Sequence, residues 1–180
     1  FHPEELDVKT KAWLRHYFEE QIYPVVTPLA VDSGHPFPFL ANNTINAIVR
    51  IFQVQPDGTK DYKIAILPIP SVLDRIIEVP SSSNKEHRFV YLEDVISYYA
   101  IQFFQGYGIE EAMIFRLTRD ADLEIDEEDA KDLLTEVEAS LRRRRRGDAV
   151  RLEVVGGGSP ELLRTVLASV ELEEKDVYHI

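Results

Sequence analysis

Cysteine is missing from all 180 residues, which excludes disulfides, thiolate nucleophiles and thiolate zinc sites. Basic residues are scarce: 20 lysines and arginines stand against 32 aspartates and glutamates, a formal net charge of −12. Nucleic-acid binding is driven by neutralising phosphates, so this balance argues against it as a general property while leaving room for a local basic site. No apolar run comes near the roughly 20 residues that a membrane-crossing helix needs, and residues 1–11 have no signal-peptide pattern. With 44% hydrophobic residues the chain is too apolar to be disordered, and its length suits one domain. It begins without methionine and stops in an alternating segment, DVYHI, that reads as the start of a strand. Both ends are those expected of a piece of a larger protein.

Apolar spacing predicts a first helix over residues 6–23, where Trp13 and Tyr17, and Leu14, Phe18 and Ile22, recur every four positions. Pro24 ends it. Residues 24–43, with prolines at 24, 28, 36 and 38, read as an apolar, non-helical arm. Ile45–Val54 is β-branched and reads as a strand, which Asp57-Gly58 turns into an antiparallel partner at 61–69. A polar connection at 81–87 leads to a short strand at 88–92 and a helix over about 93–104. A third clear strand follows Gly106 and Gly108, at 111–120. Acidic residues crowd 122–138, where Asp126 is an N-cap candidate for a helix that Gly147 ends. Residues 149–155 alternate, with Val150, Leu152 and Val154 on the buried side and Arg151 facing away. Ser159 caps and Pro160 opens a last helix. The fold class is α+β: a mixed or largely antiparallel sheet with helices packed on it, two-layer. A helix and proline-rich arm, 1–44, precede an α+β body, 45–180.

The stretch SLRRRRRGDAV holds Arg142, Arg143, Arg144, Arg145 and Arg146. At about 100° per residue they spread around more than a full helical turn and cannot all face one ligand. Placed at a helix C-terminus behind an acidic half, they favour the helix dipole; a second reading has two or three of them lining an anion channel. The glycines of VVGGGSPE precede a helix N-terminus, a weaker candidate for a phosphate cradle, without the lysine and spacing of a nucleotide loop. In FRLTRDADLEID, Arg116 and Thr118 share one strand face, Leu117 takes the other, and Arg119, Asp120 and Asp122 fall at the strand end. These form an arginine–aspartate network fixing a loop, or offer carboxylates to magnesium. In HPFPFLANNTIN the prolines stiffen the backbone and Phe37, Phe39 and Leu40 anchor it by burial. Asn42, Asn43 and Asn46 are thereby presented in fixed positions. His35 serves that loop's packing or hydrogen bonding, and none of the five histidines has metal-ligand spacing with another.

Several long segments together resemble the middle, or head, domain of long-form bacterial polyphosphate kinase. They are YFEEQIYPVVTPLAVDSGHPFPFLANNTIN, FVYLEDVI, FRLTRDADLEIDEED, LLTEVEASLRRRRRGDAVRLEV and the closing DVYHI, spread from about Tyr17 to Ile180. The resemblance implies an ATP–polyphosphate phosphotransferase that reversibly moves the terminal phosphate of ATP to inorganic polyphosphate, through a phosphohistidine intermediate and with Mg2+. It implies a cytoplasmic homo-oligomer without a transmembrane segment, membrane association staying open to the full enzyme. In that family the histidine nucleophile and most ATP and metal ligands belong to later, phospholipase D-like domains, so no catalytic residue, cofactor or metal site is assigned to this chain. Its expected part is a wall of the ATP and polyphosphate tunnel, with contacts to the remaining domains and to other subunits. Arg119, Arg151 and some of Arg142 to Arg146 are the tunnel candidates, followed by Asn42, Asn43 and Asn46; His35, Asp120 and Asp122 are structural loop residues. Two other classes stand beside it: an independent structural or regulatory protein-interaction domain, and a small anion- or nucleotide-binding module.

Overall fold

The computed structural model describes residues 1–81, 86–120, 147–156 and 158–180. Its frame is a six-stranded sheet built around Ile45–Val54 (β2), which pairs antiparallel with Lys60–Pro68 (β3) on one side and Gly108–Arg119 (β6) on the other. Leu29–Val31 (β1) closes the β3 edge. Beyond β6 come Ala149–Val155 (β7), antiparallel, and Val177–His179 (β8), the one parallel neighbour among the described strands. Ile76–Val79 (β4) and Arg88–Tyr91 (β5) form a separate two-stranded sheet. The turn expected at Asp57-Gly58 is present: Gly58 adopts a positive φ of 83° and its amide reaches the Gln55 carbonyl at 2.9 Å.

Strand alternation distributes the core. Ala47, Val49 and Ile51 of β2 point to one face, where they meet Leu14 of Val8–Tyr17 (α1) and Val95 and Ile96 of Leu92–Tyr98 (α2). Ile48 points the other way, with Phe115, Leu117 and Leu152, and is covered by Leu162 and Val166 of Pro160–Val170 (α3). The expected packing of helix on sheet is thus present on the α1–α2 face, and α3 with Leu40 and Phe37 of the arm covers the opposite face. Phe18 on the first face and Phe115 on the second are fully buried. Each such side chain contributes roughly 1.5–3 kcal/mol through its removal from water.

Helix ends follow the local chemistry. Asp7 caps α1 by accepting from the amides of Lys9 and Thr10, both at 3.0 Å, so the helix starts two residues after the expected position. It widens into a π turn over Phe18–Ile22 and stops before Pro24, which cannot donate the next backbone hydrogen bond. At α3 the Ser159 hydroxyl accepts from the Leu162 amide at 3.1 Å, as its Ser-Pro start predicts.

The structure departs from the sequence reading at several further points. The arm is not wholly irregular, because β1 lies within it; its backbone groups pair with Ile64–Ile66 of β3. β4 has no counterpart in the sequence reading. The second helix stops at Tyr98 and gives way to a 3-10 turn over Ala100–Phe103. Val150 is 47% exposed, since the β6–β7 register shifts between Thr118 and Arg119 and leaves Val150 out of the ladder. The acid-rich helix expected between 122 and 146 lies outside the described residues.

Candidate functional site

On the α1–α2 face of the sheet the apolar cover formed by the described residues reaches Ile114 of β6 and no further along that strand. The next residues on that face are Arg116 and Thr118. Arg116 stands opposite Glu153 of β7, Thr118 opposite Arg151, and Glu153 opposite Tyr178 of β8. This places two arginines, a glutamate and a tyrosine side by side on one stretch of sheet. Arg116 donates from Nε and Nη2 to Oε2 of Glu153, and Arg151 donates from Nη2 to Oε1 of the same carboxylate at 2.9 Å. The guanidinium carbon of Arg151 lies 3.9 Å from the centre of the Tyr178 ring, a cation–π contact.

Exposure separates the roles within this group. The Glu153 side chain is 10% exposed, while those of Arg116 and Arg151 are 39% and 41% exposed. A carboxylate forms the floor and two guanidiniums reach past it toward solvent. The hydrogen bond from Arg116 holds the Glu153 carboxyl below the usual glutamate range; burial opposes this, and the charges of Arg116 and Arg151 reinforce it. With the carboxylate ionised, two positive charges surround one negative charge. The face therefore offers spare guanidinium donors and a positive local balance to an anion, within an acidic protein.

Arg119 is used differently. Its Nε donates to the Leu40 carbonyl at 2.8 Å, its Nη1 to the Gly147 carbonyl at 2.9 Å, and its guanidinium carbon sits 4.3 Å from the centre of the Phe39 ring. Burial pushes this guanidinium below the usual arginine range. The amide of Arg119 donates to Oδ1 of Asn42 at 2.8 Å. Asn43 takes a left-handed φ of 59° that lets its amide reach the Leu117 carbonyl at 2.8 Å. Asn46 is buried and donates to the Thr44 carbonyl at 3.0 Å. Asn42, Asn43 and Arg119 thus fasten the arm to the end of β6, while Asn46 ties the start of β2 to Thr44. Phe39 is not an interior anchor as expected: it is 53% exposed, with its ring packed against the Arg119 guanidinium at the surface, and Leu40 carries the burial.

The Asp120 amide donates to the Asp148 carbonyl at 2.8 Å. Beside it, a side chain at Gly147 would place its Cβ 1.9 Å from the Asp120 carbonyl oxygen, so only glycine fits there. His35 hydrogen-bonds Oδ1 of Asp32 through Nδ1 at 3.0 Å and through its amide at 2.9 Å, closing a surface turn. Asp122 and Arg142 to Arg146 lie outside the described residues.

The α3 N-terminus, the other phosphate candidate, is already filled. Glu111 accepts from the Ser159 amide at 2.8 Å and from the Ser159 hydroxyl at 2.7 Å. An internal carboxylate sits where an anion would bind. Among the described residues no three histidines, aspartates or glutamates converge on a point where Mg2+ could be held. No helix among them is long and apolar enough to cross a membrane.

Sequence reasoning singled out Arg151 and its orientation but did not assign Arg116, Glu153 or Tyr178 to a site. The alternation of AVRLEV signals that Arg151 and Glu153 share a face. The pairing that adds Arg116 and Tyr178 depends on the β6–β7 and β7–β8 registers.

Comparison with known proteins adds independent observations. The family described as "Polyphosphate kinase middle domain" matches residues 9–180. The chain is 42% identical over 178 residues to a polyphosphate kinase of Halalkalibacterium halodurans, covering 98% of this chain and 25% of that protein. It is 40% identical over 176 residues to a polyphosphate kinase of Bacillus cereus, covering 97% and 25% respectively. The chain thus spans about a quarter of the length of these relatives. The crystal structure of a polyphosphate kinase from Porphyromonas gingivalis superposes with a TM-score of 0.71 at 23% identity, over 96% of this chain and 24% of that one, a likeness of fold.

Proposed function

This chain belongs to the polyphosphate kinase family, as its middle domain, and from that premise we propose that it is a non-catalytic, anion-facing part of an ATP–polyphosphate phosphotransferase. The whole enzyme moves the γ-phosphate of ATP reversibly to the end of inorganic polyphosphate, and its remaining domains supply the nucleophile, the ATP site and Mg2+. Phosphoryl transfer needs positive charge around its substrate, and that is the contribution left to this domain.

The observation that supports this role is the pair of half-exposed guanidiniums of Arg116 and Arg151, fixed on one sheet face by Glu153. Contacts with neighbouring domains or a second subunit form the other half of the role. Exposed Ile76, Phe89 and Tyr91, which alternate with buried Ile77 and Val90 on β4 and β5, favour it.

Titration calorimetry of the chain with inorganic polyphosphate tests the proposal. Binding should weaken steeply between about 50 and 200 mM salt, as expected where counterions are released. A double Arg116→Ala, Arg151→Ala variant should bind at least about tenfold more weakly. Equal affinity of the variant and the parent chain would remove this face from the path of the anion.

A further inference from the structure

Resting on that reading of the face, we propose that Glu153 is a positioning residue that sets Arg116 and Arg151 as a two-armed clamp for condensed phosphate, a ligand of at least two linked phosphoryl groups, in preference to a single orthophosphate. The two arginines do not share one oxygen. Arg116 occupies Oε2 of Glu153 through Nε and Nη2, whereas Arg151 occupies Oε1 through Nη2 alone and keeps its Nε buried without a hydrogen-bond partner among the described residues. Their remaining N–H groups lie on opposite sides of a negative charge.

That arrangement discriminates between anions by shape. A single compact anion that tries to bridge both arginines must sit over the Glu153 carboxylate, where like charges repel. A chain of linked phosphoryl groups straddles it, one group on each guanidinium, each through charge-assisted hydrogen bonds. Two features keep the arms apart. Glu153 is nearly buried between Arg116 and Arg151, which restricts its own motion. Tyr178 lies against the Arg151 guanidinium at 3.9 Å and holds it over β8, away from Arg116.

The proposal makes a prediction opposite in sign to simple charge counting. Removing the Glu153 charge raises the local positive balance, which by itself strengthens binding of the more highly charged anion most. Loss of the clamp instead lets both arginines close on one small anion. The chain is titrated with tripolyphosphate and, separately, with orthophosphate, by calorimetry and by NMR of the arginine Nε–H signals. Wild type should prefer tripolyphosphate by at least about tenfold, and Glu153→Ala should reduce that preference several-fold. Glu153→Asp, which keeps the charge but shortens the reach, should fall between them. If Glu153→Ala does not fold, Glu153→Gln is read in the same way. Should neither anion move the Arg116 and Arg151 signals of the wild type, the anion-facing reading itself fails. If both anions move them and the preference persists or grows in the Glu153 variants, the face stands and the positioning role is overturned.

Discussion

Arg119 and Leu40 are 79 residues apart in the chain, yet the arginine Nε lies 2.8 Å from the leucine carbonyl oxygen. With Nη1 on the Gly147 carbonyl, one side chain joins the proline-rich arm, the end of β6 and the approach to β7. An arginine whose donors are committed to backbone carbonyls acts as a brace, and its neighbour Arg116 is the better placed of the two to meet a ligand.

Arg119→Ala should therefore destabilise the fold by roughly 1.5–3 kcal/mol, the range for hydrogen bonds made by a charged group. Arg119→Lys should recover little, because an ammonium cannot reproduce the planar fork. Urea denaturation gives the stability, and faster amide exchange at Asn43 would show that the arm has come loose. A stability change within experimental error would show that the brace carries no weight.

Glu111→Ala strips the Ser159 amide and hydroxyl of their shared acceptor at the start of α3. Leaving these part-buried donors unpaired should cost about 1–3 kcal/mol in equilibrium unfolding. Glu111→Gln, which keeps one acceptor oxygen, should cost less. Equal losses for both substitutions would point to the Glu111 charge, and not the hydrogen bonds, as the source.

The Glu153 carboxyl titrates lower in the folded chain than in the unfolded one, chiefly because Arg116 hydrogen-bonds it. The folded state then holds fewer protons, so its stabilising increment is complete above the unfolded value of about 4.3 and is lost as pH falls through the folded value. The difference in urea midpoint between wild type and Glu153→Gln should be largest near neutral pH and shrink below about pH 4.3. A difference that does not change with pH would mean that the carboxylate charge contributes nothing.

The chain should not become phosphorylated. The proposed division of labour leaves the nucleophile to the remaining domains, and His2, His16, His35 and His87 are exposed side chains paired with carboxylates at 3.4, 3.5, 3.0 and 2.7 Å respectively. Incubation with γ-labelled ATP and Mg2+ should leave no acid-labile label on the protein. Sustained labelling of any histidine would overturn the non-catalytic assignment.

Where local chemistry decides structure, the sequence was readable. Asp57-Gly58 announced the β2–β3 hairpin, Ser159-Pro160 the start of α3, and the alternation of 149–155 the outward direction of Arg151. Where a distant partner decides, it was not. β1 and β4 have three and four residues, and each is a strand only because β3 or β5 lies alongside. The exposure of Val150 comes from a register shift at Thr118 and Arg119 that no local pattern records. For the same reason Arg119 read as a ligand contact although it holds the arm. Glu153 drew no notice because its importance lies in the two arginines that β6 and its own strand bring to it.

The short β1 strand also bears on whether copies of the protein stay apart. It covers only Ile64, Ala65 and Ile66, most of the apolar part of the outer edge of β3. Most of the uncovered remainder, from Lys60 through Lys63, carries charged side chains that discourage another chain from adding a strand. Removal of residues 29–31 would bare the greasy segment of that edge and leave its backbone donors and acceptors without partners. The resulting protein should retain its central strands yet self-associate through β3, so the arm serves colloidal behaviour as much as architecture.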